Sequence, residues 1–408
     1  MGVNKFLLKA KSIITPDESI EDASVLIENK KIKEINPDKK EGTVFDFGNR
    51  IILPGMINAH DHLLGNYYPR VGNGPYLNWL PWDNDLKSSP VYAERSNIPP
   101  KIIYQLGAMR NLIAGTTTVS DHIPHFVNDP YVKMLPIRVL KNYTLAHECS
   151  EYDLKWGDGI DIEYKKAVKN NYSFITHIEE GYDEEAEEGI DLLLKYKALG
   201  EHTVLIHAIA LSDKDIDQVA KKKANLVWCP NSNMFMFNRT GSVGKWLKKG
   251  INVSLGTDSP MSGGLNVLDE LKFAKKTYKQ MYNKDIDDKT LVSMVTTNAA
   301  KAFKIDELTG SIQKNRSADL IVLNGDPKKP YKSVVNAKLE DISLVFYEGT
   351  PLYGDKDHKD IFKKFNVKTS KFKINGKEKI GIGDPLGIMK KIRQLVGFKK
   401  YLPFLPVE

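Results

Sequence analysis

Ile51-Ile52-Leu53-Pro54-Gly55-Met56-Ile57-Asn58-Ala59-His60-Asp61-His62 is the stretch on which the reading of this chain turns. It is apolar up to Ala59, with Pro54-Gly55 behind and Gly65-Asn66 ahead, and it reads as a buried strand ending at the histidines. Strand side chains alternate faces, so His60 and His62 point the same way and can grip one metal ion together. A ligand pair at the C-terminal end of a barrel strand is where a (β/α) barrel places its chemistry. The spacing alone is weak evidence, because two histidines one residue apart also arise by chance. Partners elsewhere in the chain decide the matter.

Four further pieces complete a metal site. Thr176-His177-Ile178-Glu179-Glu180 ends a strand with His177 and, three residues on, Glu180. Leu205-Ile206-His207 ends the next strand, and Val253-Ser254-Leu255-Gly256-Thr257-Asp258 ends the last with an aspartate. Singly, each is also explained by a hydrogen-bonded histidine or a helix-capping aspartate. Together they place imidazole and carboxylate groups in strand order on one rim, a donor set suited to Zn or Fe(II).

The surrounding pattern agrees with a barrel. Residues 1–50 give short alternating segments, including Lys5-Phe6-Leu7-Leu8-Lys9-Ala10 and Ser24-Val25-Leu26-Ile27. From 51 to about 305, strands alternate with helices, the signature of a parallel barrel. Predicted strands are Gly115–Ser120, Arg138–Leu145, Tyr172–Thr176, Thr203–Ile206, Leu226–Cys229 and Val253–Leu255. Predicted helices include Ile102–Leu112, Asp213–Lys223 and Asn266–Tyr282. About seven barrel strands are counted where eight are expected, and the shortfall lies between Gly115 and His177. After 305 the chain turns β-rich again, in Ala318–Leu323 and Ile342–Tyr347. The expected architecture is α/β: a distorted (β/α)8 TIM barrel over 53–307, with a small composite β-sandwich from 1–52 plus 308–356. A basic extension occupies 357–408. In it, Phe372–Lys377 reads as a hairpin with an Asn-Gly turn. Pro385–Val396 carries an apolar helical stripe, read as a helix docked on the body, with a membrane surface or a partner as the alternative.

Composition narrows the function classes. The 408 residues are 41% hydrophobic and 27% charged, as in a soluble globular protein, and no apolar run approaches a membrane span. Two cysteines, Cys149 and Cys229, are too few for a disulfide framework and point to a reducing compartment. Met1–Leu8 lacks a leader's apolar core, and Phe6 breaks the myristoylation pattern, so the cytoplasm is expected. The net charge is +7, but residues 356–408 alone carry 14 Lys and Arg against 5 Asp and Glu, leaving the body at −2. That argues against a nucleic-acid groove across the fold and leaves a homo-oligomer open.

The chain resembles the amidohydrolase superfamily, in the branch holding S-adenosylhomocysteine and guanine deaminases, cytosine deaminase and triazine hydrolases. The matching segments are Leu53–His62, Gly115-Thr116-Thr117-Thr118, His177–Glu180, Trp228-Cys229-Pro230-Asn231-Ser232-Asn233, Gly256-Thr257-Asp258-Ser259 and Ser317-Ala318-Asp319-Leu320. They span nearly everything up to about residue 350, and the tail after 357 is not covered. The resemblance implies one divalent metal, Zn in preference to Fe(II), held by His60, His62, His177 and Asp258. It implies that Glu180 shuttles a proton to the substrate, that Glu179 is a neighbour, and that His207 orients the nucleophilic water or polarises the bond attacked. Such a site suits metal-activated hydroxide attacking an electrophilic carbon, with Asp258 taking the water's proton and Glu180 acting as general acid. The expected reaction is hydrolytic C–N cleavage, deamination of an aminated nucleobase, nucleoside, pterin or triazine. Amide, cyclic-amide or C–Cl hydrolysis on the same site is the alternative. A non-catalytic scaffold would need lost ligands, and none is lost.

The substrate side departs from the familiar deaminases, which carry an acidic residue beyond a tryptophan in the loop after the first strand. Here that loop reads Asn78-Trp79-Leu80-Pro81-Trp82-Asp83-Asn84-Asp85, so Asp83, Asp85 or neither takes that part. The short stretch from Gly115 to His177 leaves no room for the strand that brings a substrate-binding histidine, and His147 is the best substitute. His122 and His125 are candidates for ring contacts by the same strand-end argument. The expected substrate contacts are thus Trp82, Asp85, His122, His147 and Asn233. His202 and the Trp228-Cys229 pair read as structural, and Cys149 has no partner triad.

Overall fold

The structure, a computed structural model, describes residues 3–39 and 41–408; Met1 and Gly2, which open the stretch read for a leader, and Lys40 lie outside it. The alternating segments at the amino terminus pair as expected. Lys5–Ile14 and Ser19–Glu28 form a long antiparallel hairpin, and Lys31–Ile35 adds to its edge. Ile51–Pro54 lies parallel to the first strand and pairs on its other side with Leu320–Leu323, so the two ends of the chain share one ten-stranded sheet. The sheet curls on itself. Phe6 and Phe346, separated by two strands, bring their rings to 5.9 Å and share an apolar core with Leu8, Val25, Leu320 and Leu344. The opposite face, through Leu53, Ile321, Leu323 and Val345, packs on the barrel.

The sheet does not stop at residue 356. Thr350–Asp355 pairs with Lys377–Gly381, which pairs with Ser370–Ile374, so the predicted hairpin extends the composite sheet. Its turn residues Asn375 and Gly376 have φ of 48° and 79°, the left-handed pair that such a turn requires. Pro385–Val396 forms the predicted helix and buries Ile392 against the helix Pro100–Ile113. Among the described residues, no helix is long and apolar enough to cross a membrane.

The opening stretch is two strands rather than one. Ile51–Pro54 belongs to the outer sheet and Met56–Asn58 to the barrel. The chain changes layers at Gly55, where a Cβ would lie 2.2 Å from the Thr117 Oγ1, so only glycine fits. The barrel then runs through eight parallel segments: Met56–Asn58, Thr116–Val119, Arg138–Val139, Tyr143–Glu148, Ser173–Ile178, Thr203–His207, Asn225–Trp228 and Val253–Leu255. The Ala59 amide donating to Leu255 at 3.2 Å and the Asp258 amide donating to His60 at 2.9 Å close the ring between first and last. The strand predicted over Arg138–Leu145 is two segments broken at Leu140–Asn142. The first pairs with Thr116–Val119 and the second with Ser173–Ile178. Arg138–Val139 and Tyr143–Glu148 therefore have no crossover helix between them, which is why only about seven barrel strands were countable.

One buried cation locks this ring. Arg110, on the helix Pro100–Ile113, is fully buried and donates to Asp61 Oδ2 at 2.8 Å. It also donates to the carbonyls of Asp258, Gly264 and Leu265. Removing one partner of a buried pair leaves the other charge uncompensated, a cost of roughly 3–5 kcal/mol. Arg110→Met is expected to lower the denaturation free energy by about that much, whereas Lys11→Met, which breaks the surface pair with Asp22, leaves the midpoint unchanged. Equal midpoints for the two variants in urea would refute this role.

Candidate metal centre and active site

His60 and His62 lie just beyond the strand Met56–Asn58, yet the extended backbone continues: Asp61 donates its amide to the Ser120 carbonyl while His60 accepts from Asp258. The two imidazoles therefore share a face, and Asp61 turns away to Arg110. Ring nitrogens of His60, His62 and His177 converge within 4.8 Å of one another, as do ligand atoms of His60, His207 and Asp258, and of His177, Glu180 and His207. Asp258 Oδ1 stands 3.8 Å from His60 Nε2 and 3.9 Å from His62 Nε2.

Each group is oriented from behind. His177 Nδ1 lies 2.7 Å from the His147 carbonyl, which fixes the proton there and leaves Nε2 as a lone pair. Asp258 accepts from the Ser232 and Ser262 hydroxyls at 2.8 and 2.6 Å and from the Ser259 amide at 2.6 Å. Burial alone would raise its carboxyl, but His62, His207 and the two hydroxyls outweigh burial and hold it below the ordinary range. His207 Nδ1 lies 2.8 Å from Asn233 Oδ1. The Asn233 amide nitrogen donates to Thr240 Oγ1, which also accepts from Trp228, so the Asn233 carbonyl faces the histidine. His207 Nε2 is then the acceptor nitrogen, 3.4 Å from Glu180 Oε1. His207 and Asp258 also hold left-handed backbone, with φ of 71° and 53°.

The donor set fits a divalent cation. Both ring nitrogens of fully buried His60 lack any hydrogen-bond partner among the described residues. Burial and the neighbouring imidazoles push the pKa values of His60 and His177 well down, so both are neutral with lone pairs available. A neutral imidazole offers one lone-pair nitrogen, and leaving it unpartnered in a buried cluster is costly unless an ion takes it up.

Above this floor opens a cavity of about 440 Å³, with His62, His177, Glu180, His207 and Asp258 at its base and Trp79, Trp82, Leu86, Trp156 and Met261 in its walls. Burial first, then Glu148 and Asp258, pushes the Glu180 carboxyl well above the ordinary carboxylate range, which favours its protonated form. Glu179 turns out of the cavity, towards the Ile190 amide.

The expected substrate contacts divide. Trp82 and His147 line the cavity. The His147 ring sits between Trp79 and Trp156, and burial, then His62, pushes its pKa down to about 3. Asp85 is exposed and takes the Tyr76 hydroxyl, because the helix Trp79–Ser88 turns it outward; Asp83 lies on the lining instead. Asn233 does not reach the cavity and supports His207. His122 packs behind the metal centre, 4.9 Å from the rings of both His60 and His177, with neither nitrogen partnered. His125 faces the Tyr143 carbonyl on the outside, and His202 meets the Tyr172 carbonyl at the far end. Sequence reasoning missed Glu148, which accepts from Trp79 Nε1 at 2.5 Å; its place at the end of its strand, beside His147, was the available signal. It also missed Trp156, which no motif marks. Both cysteines are free and buried, and burial pushes the Cys149 thiol up to about 12, so neither is a nucleophile.

A histidine, aspartate and glutamate cluster at one rim of a parallel barrel defines a hydrolase with a divalent-metal site. A model of the amidohydrolase family matches residues 161–368, half of the chain, and the chain belongs to that family, as a hydrolase acting on carbon–nitrogen bonds. It is 25% identical to a 5-methylthioadenosine/S-adenosylhomocysteine deaminase of Thermoanaerobacter pseudethanolicus, over 87% of this chain and 95% of that one. Among solved structures, an adenosine deaminase from Xanthomonas campestris with bound zinc superposes with a TM-score of 0.75 at 16% identity, covering 96% and 97% of the two chains. A zinc-complexed atrazine chlorohydrolase from Arthrobacter aurescens gives 0.76 at 18%, covering 96% and 100%.

Glu148 offers a test of the electrostatics. Burial, its largest influence, raises its pKa from 4.5 to about 7, so the fold favours the protonated form. The stability this contributes is fully present below pH 4.5 and is lost as pH rises through about 7. Glu148→Gln, which keeps an acceptor for Trp79, is expected to flatten the fall in denaturant midpoint over that window; parallel curves for variant and wild type would reject it.

Proposed function

We propose that the chain is a mononuclear metal aminohydrolase that deaminates a 6-aminopurine nucleoside, replacing the exocyclic amine with oxygen and releasing ammonia. The observation that carries this reading is the meeting of the buried Glu180 carboxyl, an acceptor nitrogen on His207 and the Asp258 carboxylate at the base of an aromatic-walled cavity. The similarity to a 5-methylthioadenosine/S-adenosylhomocysteine deaminase along nearly the whole chain supports an adenine-type substrate.

His60, His62, His177 and Asp258 would hold the ion, and the zinc in the matched solved structures favours zinc over iron(II). A divalent cation held there would lower the pKa of a water to roughly 7, so that hydroxide would be available at neutral pH. Asp258, buried beside that position and poor in protons, accepts the proton the water gives up. His207 Nε2, being an acceptor, orients the water rather than polarising the substrate. Glu180 donates its proton to the ring nitrogen next to the carbon attacked, the proton held on Asp258 passes to the departing amine, and the proton of the new hydroxyl returns to Glu180 as ammonia leaves. The aromatic walls stack the heterocycle, and His147 offers a neutral imidazole to a further ring nitrogen. Two buried, unpaired cysteines support a reducing, cytoplasmic setting, and the nearly neutral barrel supports a small-molecule rather than a nucleic-acid partner.

Ammonia release measured across purine nucleosides, pyrimidines, pterins and triazines tests the reading. Adenine nucleosides should turn over, and Glu180→Gln should lower kcat by about 10²-fold or more while bound metal is retained. Chloride release from chlorotriazines without ammonia from any nucleoside would replace this reading with a dechlorinase.

A further inference from the structure

The end of the chain lies beyond the residues matched to the family, yet it contacts a helix that lines the cavity. The helix Pro90–Ser96 contributes Tyr92, Arg95 and Ser96 to the cavity lining. None of its residues is fully buried and its N-cap lacks a side-chain bond, so beyond the partly buried Val91 and the ring contact of Tyr92 its hold on the body is polar. Glu94 is its inward anchor. Its carboxylate accepts from the Tyr67 hydroxyl and from Lys400 Nζ, the latter at 2.7 Å, with the two ion-pair side chains only 20% and 13% exposed. Lys400 also lies over the Tyr67 ring at 4.9 Å. Tyr67 is fully buried in the segment just beyond His62, and its neighbour Tyr68 stacks on Tyr92 at 6.2 Å. The lysine is fixed from its other side: Leu402, Phe404 and Leu405 are buried, and Glu408 exchanges both backbone hydrogen bonds with Lys373.

From this geometry we infer that Lys400 is a positioning residue for the substrate site: through Glu94 it holds the Pro90–Ser96 helix against the cavity and so sets how tightly substrate is bound. The inference rests on the cavity being the substrate site. Without its ammonium partner, the mostly buried Glu94 carboxylate keeps only the Tyr67 hydroxyl and gains by turning to water, which leaves the helix that carries Tyr92 and Arg95 without its charged tie. The metal-binding floor is held by other bonds, so the effect falls on binding and not on chemistry.

Lys400→Met keeps the aliphatic stem and removes the charge; Lys400→Arg keeps the charge. With a nucleoside that the wild type turns over, KM should rise about three- to tenfold in Lys400→Met with kcat within about twofold, and Lys400→Arg should stay near wild type. Independently of activity, backbone amides of residues 90–96 should exchange faster in Lys400→Met alone. Unchanged KM and unchanged exchange in Lys400→Met would overturn the inference. So would exchange that rises throughout the chain, because that outcome makes Lys400 a general stabiliser. If the wild type deaminates nothing, the functional reading fails, while the exchange measurement still decides the role of Lys400.

Discussion

The ion pair between Asp61 and Arg110, both fully buried, is the interaction on which the rest of the structure depends. Asp61 stands between His60 and His62, and alternation along the extended backbone sends it behind the barrel while the histidines face the cavity. Arg110 then spends its remaining donors on Asn66, on the Thr257 hydroxyl and on the carbonyls beyond the last strand. One guanidinium thus sets the distance between the ligands carried by the first strand and the aspartate carried by the last. Its planar fork suits that task as a lysine could not.

Above that frame the chemistry comes from desolvation. Imidazoles lose their protons when buried together, and carboxyls gain them, unless a neighbour intervenes. His60, His122 and His177 fall on the first side and Glu180 on the second, while Asp258 stays ionised because His62, His207 and two serine hydroxyls surround it. Two carboxyls of one cavity floor are thereby pushed in opposite directions, which suits hydrolysis that needs both a proton acceptor and a proton donor. His122 shares the unpartnered state of His60 without sharing its place among the converging ligand atoms.

Much of this was legible in the sequence, and the reasons it was legible are physical. The helix Pro385–Val396 and the strand Val253–Leu255 appear with their predicted limits, because an apolar stripe or run bounded by breakers leaves few alternatives. The convergence of His60, His62, His177, Glu180, His207 and Asp258 was readable because each closes an apolar strand on the same rim. What was hidden depends on three-dimensional direction. Asn233 sits in a matching segment but points beneath His207, and Asp85 lies two residues from Asp83 on a helix, far enough to leave the cavity. The split at Leu140–Asn142 has no marker in an otherwise continuous run, and the break at Gly55 shows only when Thr117 is seen against it.

The central claim is that the buried imidazoles and Asp258 form a site for a single divalent ion. Metal content per chain, measured by inductively coupled plasma mass spectrometry after reconstitution with zinc and removal of excess ion, addresses it directly. One ion per chain, lost in His177→Ala and retained in Glu180→Gln, is the expected result. An active chain without stoichiometric metal, or one whose metal survives His177→Ala, would contradict it.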